Sequence, residues 1–233
     1  MNSKKAIILL SGGLDSVVSL AILRNEYDFK LALTFDYGQK AFLKENYSAK
    51  MIAEHYNIEH KVIKLDWLKE ITSTNLVSEK KVPTVDIDKL NDETITKNSM
   101  KNVWVPNRNG VFLNIAAAYA DSFDYNYIVI GANKEEATTF SDNSLTFIQS
   151  LNKTLETSTN VELKVIAPLI NYNKDEIVKQ AIEQNIPFEY LNSCYNNTKK
   201  HCGNCESCNR LKRALINNNR EDIIKQIFEK EEG

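Results

Sequence analysis

The chain has 233 residues, of which 42% are hydrophobic, with 29 Lys and Arg against 31 Asp and Glu. This composition is typical of an ordinary globular domain and excludes collagen-like and disordered chains. The balanced charge excludes nucleic-acid binding driven by a general basic excess. The apolar stretches fall well short of the ~20 residues that a bilayer helix needs, and no signal-peptide pattern opens the sequence. We therefore expect a cytoplasmic protein with no membrane partner.

Strand and helix patterns alternate along most of the chain. Residues 6–10 form a continuous apolar run that predicts a strand buried on both faces, and a helix pattern follows at 17–23. Further strands are predicted at 31–35, 60–65, 127–130 and 163–167, and helices at 42–56 and 111–120. Asn173 and Glu176 predict a capping box at the start of another helix. The alternation predicts an α/β fold, a Rossmann-like parallel sheet with helices on both faces.

Two regions break the alternation. Residues 72–102 are polar and contain no aromatic residue, which predicts an insertion or mobile flap, with disorder as the alternative. Residues 191–209 carry all the cysteines, and helix patterns follow to the end of the chain. We expect a main α/β domain at 1–190 and a small cysteine-containing helical region at 191–233.

The turn between the first strand and the first helix has a composition suited to phosphate. The backbone N–H groups at a helix start attract anions, and glycines let the backbone approach a phosphate closely. The hexapeptide in this turn, Ser-Gly-Gly-Leu-Asp-Ser at 11–16, matches neither G-x-x-x-x-G-K-[ST] nor G-x-G-x-x-G. This disfavours a P-loop that transfers the γ-phosphate and a dinucleotide-binding site. A tight turn with a serine cap is the structural alternative. The candidate ATP-binding residues are Ser11, Gly12, Gly13, Leu14, Asp15 and Ser16.

The four cysteines are grouped in one short window. They are Cys194, Cys202, Cys205 and Cys208. In a reducing compartment such grouping favours a metal over disulfides. Four thiolates suffice for a closed tetrahedral Zn²⁺ site, which would be structural because it leaves no open position. An iron–sulfur cluster, with His201 as a substitute ligand, is the alternative metal centre, and disulfide pairing is a third interpretation.

These motifs together resemble the 7-cyano-7-deazaguanine synthase (QueC) family of ATP pyrophosphatases. The resemblance rests on the hexapeptide at 11–16, Val-Pro-Asn-Arg-Asn at 105–109, Ile-Gly-Ala-Asn at 130–133, Ala-Pro-Leu at 167–169 and Ser-Cys-Tyr at 193–195. A Cys-Gly-x-Cys-x-x-Cys sequence then follows, so the resemblance covers nearly the whole chain.

The resemblance implies the adenine nucleotide alpha-hydrolase (PP-loop) fold and an enzyme that splits ATP between its α and β phosphates. It implies that 7-carboxy-7-deazaguanine is activated by adenylation and converted with ammonia to the amide and then the nitrile, on the route to queuosine. It further implies Mg²⁺, a bound Zn²⁺ and a homodimer. In this family Ser11, Gly12, Gly13 and Ser16 would hold pyrophosphate, while Asp15 would organise the loop or a magnesium ion.

The candidate catalytic residues are Asp15, Lys40, Arg108 and Asp142. Arg108 would neutralise a phosphate or carboxylate, against the alternative of a surface or capping arginine. Lys40 would stabilise charge developing on phosphate, against a solvated lysine. Two charged groups are interpreted as solvated surface, namely residues 134–136 and the basic residues Lys199, Lys200, His201, Arg210, Lys212 and Arg213.

Two segments depart from the family pattern. Lys40 is followed by Ala41 where the family usually has His, and residues 138–144 replace S-G-Y-P-D-C-[RK], of which only Asp142 remains. This second loop leaves the carboxyl end of a strand, where open sheets bind substrate. The replaced residues suggest that the enzyme uses a different acceptor or substrate, with neutral drift as the alternative. Asp142, the retained residue, is expected to bind the N–H edge of the substrate ring.

Three other functions compete with the synthase. A QueC-like enzyme would join the deazaguanine carboxylate to another amine, such as the N-terminus of a protein partner, in anti-phage defence. A sulfur-inserting tRNA enzyme would need a free nucleophilic cysteine, which a zinc site that uses all four cysteines argues against. A non-catalytic zinc-containing module that binds nucleic acid would make the phosphate loop incidental.

Overall fold

A parallel sheet with helices packed on it forms the centre of the computed structural model, which describes residues 4–90 and 101–229. The strands are β1 Lys5–Leu9, β2 Asp28–Asp36, β3 Glu59–Lys64, β4 Tyr127–Val129 and β5 Lys164–Ile166. The helices are α1 Leu14–Leu23, α2 Phe42–His55, α3 Asp66–Glu70, α4 Arg108–Ser122, α5 Lys134–Ala137, α6 Leu145–Ser158, α7 Lys174–Glu183, α8 Glu206–Asn217 and α9 Glu221–Ile227. Short 3₁₀ helices occupy Ile87–Lys89, Ser141–Asn143 and Phe188–Tyr190.

The sheet has five strands in the order β3-β2-β1-β4-β5, and every neighbouring pair is parallel. The residues Ala6, Ile7 and Ile8 of β1 are fully buried. Because successive side chains of a strand point to opposite faces, both faces of β1 are covered. The predicted α/β fold is therefore confirmed.

The strand order reverses between β1 and β4. The chain moves from β1 through β2 to β3 at one edge, and then returns to place β4 against the other side of β1. At such a reversal the loops that leave two neighbouring strands diverge and open a crevice at their carboxyl ends. The loops after β1 and β4 therefore meet where an open α/β sheet binds its ligand.

One long helix was missed by the sequence analysis. Helix α6 follows directly on the loop at 138–144, and its residues Ile148, Leu151 and Leu155 are buried. The Ser144 hydroxyl caps the helix by accepting a hydrogen bond from the Phe147 N–H at 3.1 Å. A serine followed by apolar residues at spacings of three and four was a readable helix signal.

The polar segment predicted as a flap is anchored in the part that the structure describes. Leu76, Val82 and Val85 are buried. The Pro83 carbonyl accepts a hydrogen bond from the Glu206 N–H at 3.2 Å, close to the start of α8. Residues 83–85 therefore contact the cysteine-containing region. The insertion or flap at 72–102 stays a prediction. Residues 91–100 of the predicted flap lie outside the described residues.

Helices α7, α8 and α9 pack against one another beside the sheet. Through these contacts the cysteine-containing region packs against the α/β domain. The predicted boundary between the two parts at residue 190 stays a prediction. Across residues 4–90 and 101–229, no helix combines the length and apolar character needed to cross a membrane.

The capping box of α7 gives a stability prediction. The Asn173 side chain accepts a hydrogen bond from the Glu176 N–H at 2.9 Å, and Glu176 accepts one from the Asn173 N–H at 2.8 Å. Loss of such a cap costs about 1 kcal/mol, so Asn173→Ala should lower the free energy of unfolding by that amount in urea titrations. Asn173→Asp, which keeps the acceptor, is the control. Equal stability of Asn173→Ala and the parent would contradict this role of Asn173.

Candidate active site

The phosphate loop joins β1 to α1, as predicted, and its two glycines have different roles. Gly12 has a φ of +76°, and a Cβ there would lie 2.4 Å from Ser48 Cβ in α2. Gly12 is therefore required by the fold. Gly13 has a φ of −76°, and a Cβ there would meet only Ser11 Oγ, at 3.3 Å, and more distant atoms. The backbone at Gly13 accepts a side chain, so the fold does not require glycine at this position.

The segment before the cysteines holds the phosphate loop from the other side. The Asn192 N–H donates to the Gly12 carbonyl at 2.9 Å, and the Leu14 N–H donates to Ser193 Oγ at 3.2 Å. The Ser193 N–H in turn donates to His201 Nε2 at 3.0 Å, and His201 Nδ1 lies 3.2 Å from the Ile227 carbonyl. Both His201 nitrogens thus have protein partners, which argues against His201 as a substitute metal ligand.

A buried ion cluster joins the phosphate loop to the loops after β4 and β5. The Lys174 ammonium donates to Asp15 Oδ2 at 2.6 Å and lies 3.3 Å from Glu136, and Asn133 also donates to Asp15 Oδ2, at 3.2 Å. Lys174 is only 8% exposed. A Cβ on Gly131 would lie 2.7 Å from the backbone nitrogen of Ser16, so glycine there permits this close approach.

The charges in this cluster shift one another's pKa values. Burial raises the pKa of Asp15 to about 6, with Glu136 acting in the same direction and Lys174 opposing it. Burial alone would lower the pKa of Lys174, but Asp15 and Glu136 raise it above its usual range. Burial opposes ionisation of Glu136, while Lys174 and Arg108 lower the pKa of Glu136. Lys174 therefore stays protonated between the two carboxyl groups.

Glu135 links the same region to α8. Its carboxylate accepts hydrogen bonds from Arg210 at 2.9 Å, from Arg213 at 3.2 Å and from the backbone N–H of Lys174 at 2.8 Å. The interpretation of residues 134–136 as a solvated charge run is therefore wrong for Glu135 and Glu136. The interpretation of the basic patch as solvated surface is likewise wrong for Arg210 and Arg213, and for His201, which is buried.

Arg108 begins α4 on the opposite wall, after Asn107 in the left-handed region at a φ of +49°. Its guanidinium lies 3.5 Å from the Tyr37 hydroxyl. Burial lowers the pKa of Arg108, but Tyr37 and Asp142 outweigh it and raise that pKa. Burial also raises the pKa of Tyr37, with Arg108 acting against it. Arg108 is therefore a half-buried cation in the wall of the site, not a surface arginine.

Asp142 is fixed by the first turn of α4. Its Oδ2 accepts a hydrogen bond from the Asn109 N–H at 3.1 Å, and its carbonyl accepts one from the Asn109 side chain at 3.1 Å. Asp142 thus ties residues 138–144 to α4. Lys40, in contrast, does not join the other predicted catalytic residues. Its ammonium donates a hydrogen bond to the Lys80 carbonyl, and the residue does not line the cavity described below.

These groups surround one cavity of about 270 Å³. Of the predicted catalytic and ATP-binding residues, it is lined by Ser11, Gly13, Leu14, Asp15, Ser16, Arg108 and Asp142, whereas Gly12 and Lys40 do not line it. The wall residues that the sequence analysis did not name include Tyr37, Glu45, Lys174 and Asn192. An anion-binding loop, a half-buried arginine and a mixed apolar wall can hold a phosphorylated ligand together with a carboxylate.

The four cysteines converge as predicted. Their sulfur atoms all lie within 4.8 Å of one another, and Cys202 Sγ and Cys208 Sγ are 3.9 Å apart. Zn–S bonds of about 2.3 Å in a tetrahedron place the sulfurs about 3.8 Å apart. None of the four is in a disulfide, so the disulfide interpretation is wrong, and the donor set fits one tetrahedral metal ion.

Comparison with known proteins identifies relatives of the chain. A sequence model of the family described as queuosine biosynthesis protein QueC matches residues 5–219. The chain is 48% identical over 217 residues to a 7-cyano-7-deazaguanine synthase of Methanosarcina barkeri, which covers 91% of this chain and 94% of the relative. A protein of the same name from Bdellovibrio bacteriovorus is 40% identical over 228 residues, covering 97% of this chain and 98% of the relative.

Solved structures add a more distant similarity. The U34-tRNA thiolase NcsA from Methanococcus maripaludis, with its [4Fe-4S] cluster, superimposes with a TM-score of 0.48 and 19% sequence identity. The match covers 95% of this chain and 66% of that chain.

The two glycines of the phosphate loop provide a matched test. Gly13→Ala should keep the melting temperature within a few degrees but weaken ATP binding at least tenfold, because the added methyl group occupies space meant for phosphate. Gly12→Ala should lower the melting temperature sharply, since it adds a strained φ and a clash. Calorimetric titration with ATP and thermal unfolding measure the two effects. Unchanged ATP affinity in Gly13→Ala would contradict phosphate binding at this loop.

Proposed function

The chain belongs to the family of queuosine biosynthesis protein QueC, and from this premise we propose that it converts 7-carboxy-7-deazaguanine to 7-cyano-7-deazaguanine. ATP and ammonia are the co-substrates. The observation that carries the proposal is the convergence of the phosphate loop, Arg108 and Asp142 on one cavity. Relatives named for this synthesis match more than nine tenths of the chain.

The reaction needs two activations. In the first, a carboxylate oxygen attacks the α-phosphorus of ATP, the bond to pyrophosphate breaks, and an acyl adenylate forms. Ammonia attacks the acyl carbon, loses a proton, and displaces AMP to give the amide. In the second, the amide oxygen attacks the α-phosphorus of another ATP, the bond to pyrophosphate breaks, and the amide loses one N–H proton. The adenylated intermediate then loses AMP and the second N–H proton to give the nitrile. Both displacements develop negative charge on phosphate, which the site must stabilise.

The chain supplies groups for this charge on two sides of the cavity. The N–H groups of the phosphate loop and the start of α1 bind the leaving pyrophosphate. Arg108, on the opposite wall, neutralises a phosphate or the substrate carboxylate. Lys174 holds Asp15 in place, because its ammonium nitrogen lies 2.6 Å from Asp15 Oδ2. The interactions strengthen as the ligands displace water from the cavity.

Asp15 is the residue suited to hold a Mg²⁺ ion. Its Oδ1 is buried and accepts no hydrogen bond from the described residues, whereas Oδ2 is occupied by Lys174 and Asn133. Carboxylate oxygen is a ligand that Mg²⁺ prefers, and the ion would neutralise phosphate charge when bound with ATP.

For the cysteine cluster we propose Zn²⁺, bound by Cys194, Cys202, Cys205 and Cys208. The donor set and the sulfur distances support this choice over an iron–sulfur cluster, whose sulfide-bridged core holds thiolates farther apart. Since no ligand position stays open, the ion stabilises structure. It would fix the segment of Asn192 and Ser193 that bonds to the phosphate loop.

No specific observation favours a different acceptor. The loop at 138–144 differs from the expected pattern. Its Asp142 accepts a hydrogen bond from the Asn109 N–H of α4, and this contact helps to position the loop. The relatives that match over almost their whole length are named for the synthase and not for defence or thiolation. A homodimer, a cytoplasmic location and ammonia as the amine remain predictions.

The reaction products test the proposal directly. With ATP, 7-carboxy-7-deazaguanine and ammonium, the protein should form the nitrile, with two AMP and two pyrophosphate released for each nitrile. Mass spectrometry of the base and chromatography of the nucleotides measure these yields, and Arg108→Met should lower the rate at least 100-fold because a buried charge contact to the ligand is lost. ADP as the only nucleotide product, or no nitrile, would contradict the proposal.

Metal analysis tests the cysteine site. The purified protein should contain one zinc per chain, and Cys205→Ala should lose the zinc and much of its folded structure, since such sites contribute on the order of 10 kcal/mol to folding. A brown, iron-containing protein would contradict the choice of zinc. A fully folded, metal-free Cys205→Ala would show that the metal does not support the fold.

A further inference from the structure

A second carboxylate in the cavity wall has no role in the chemistry above. Glu45 lies in the first turn of α2 and lines the cavity. Its Oε2 accepts a hydrogen bond from Gln39 Nε2 at 2.7 Å. Among the residues that the structure describes, no donor bonds to its Oε1 and no ion pair neutralises it. Glu45 therefore offers acceptor capacity to a ligand in the cavity.

Gln39 holds this carboxylate in one orientation. The Gln39 side chain is buried, its Oε1 accepts from the Tyr37 N–H at 3.0 Å, and its Nε2 also donates to the Phe35 carbonyl at 2.9 Å. Because both ends of the amide are occupied by the backbone, the amide cannot turn over without losing bonds. Glu45 is consequently a preorganised acceptor.

An aromatic wall lies in the same part of the cavity. The rings of Phe35 and Phe112 are stacked, with centroids 4.0 Å apart and planes 5° from parallel, and Tyr37 lies 5.8 Å from Phe112. All three residues line the cavity together with Glu45 and Gln39. An aromatic surface beside a fixed acceptor suits a flat heteroaromatic ring that carries N–H donors on its edge.

The two ring systems of the proposed reaction present different edges to such an acceptor. A guanine-type ring offers two adjacent donors, the N1–H and the 2-amino group. Adenine offers one amino donor beside a ring nitrogen, whose lone pair an ionised carboxylate repels. A carboxylate therefore matches the guanine-type edge, which lies at the opposite end of the deazaguanine ring system from the carboxyl group that reacts.

We propose that Glu45 accepts hydrogen bonds from the N1–H and 2-amino group of the deazaguanine substrate, and so determines specificity for that ring. The inference rests on the proposed function and names the residue that reads the substrate. Burial raises the pKa of Glu45, with Gln39 and Arg108 opposing the rise, so two added donors would also favour its ionised form. If these two donors had no acceptor in a cavity without water, the substrate would bind more weakly.

Glu45→Gln tests the assignment, because it keeps the shape of the side chain but places an NH₂ group against a ring donor. The KM for 7-carboxy-7-deazaguanine should rise about 10- to 100-fold, while the KM for ATP and the melting temperature stay within twofold and a few degrees of the parent. The control is Glu54→Gln, an exposed residue of the same helix whose ion pair with Lys50 is on the surface. That variant should change neither KM.

A change in the ligand tests the same contact without relying on a variant. The analogue that lacks the 2-amino group should bind the parent protein at least tenfold more weakly than the substrate in calorimetric titrations. In Glu45→Gln this difference should shrink to about twofold. A change in the KM for ATP alone would assign Glu45 to adenine and overturn the inference.

Two further outcomes separate the inference from the proposed function. If the parent protein makes the nitrile but Glu45→Gln and the analogue behave like the parent and the substrate, Glu45 has only a structural role and the inference fails alone. If the parent protein neither binds nor converts 7-carboxy-7-deazaguanine, both the proposed function and the inference are wrong.

Discussion

The buried contact between Lys174 and Asp15 is the constraint on which the site depends. Asp15 follows β1, Lys174 begins α7, and Glu136 follows β4, so one ammonium group joins three segments that are far apart in sequence. A buried charge that loses its partner costs several kcal/mol, which fixes these segments relative to one another. These ion pairs therefore fix the phosphate loop relative to the segments that follow β4 and β5.

The cysteine-containing region acts on the same loop from the other side. Its hydrogen bonds to Gly12 and Leu14 join the segment beside the four cysteines to the phosphate loop. Glu135 adds ion pairs from the loop after β4 to Arg210 and Arg213 of α8. The four-cysteine cluster and the phosphate loop are thus connected through a few short contacts.

Most of the elements that the sequence predicted have local signals, whereas the contacts between distant residues were missed. Helix α6 is an exception, because its signal is local and it was missed as well. The phosphate loop, the four cysteines and the Asn173 cap are contiguous patterns, so spacing sufficed to find them. Lys174 and Glu136 carry no local pattern, because their roles come from the ion pairs of Lys174 with Asp15 and with Glu136, which are far apart in sequence. Asp142 was located correctly in the cavity wall, but its bond to Asn109 could not be inferred from the loop alone.

The proposed reaction requires that a substrate oxygen attacks the α-phosphorus of ATP in this cavity. The most direct measurement uses 7-carboxy-7-deazaguanine with ¹⁸O in both carboxyl oxygens, together with ATP and ammonium, and follows the label by mass spectrometry. Adenylation of the acid and then of the amide predicts one ¹⁸O atom in each AMP and none in pyrophosphate. Label recovered in water or pyrophosphate, with AMP unlabelled, would contradict attack of the substrate oxygen on the α-phosphorus.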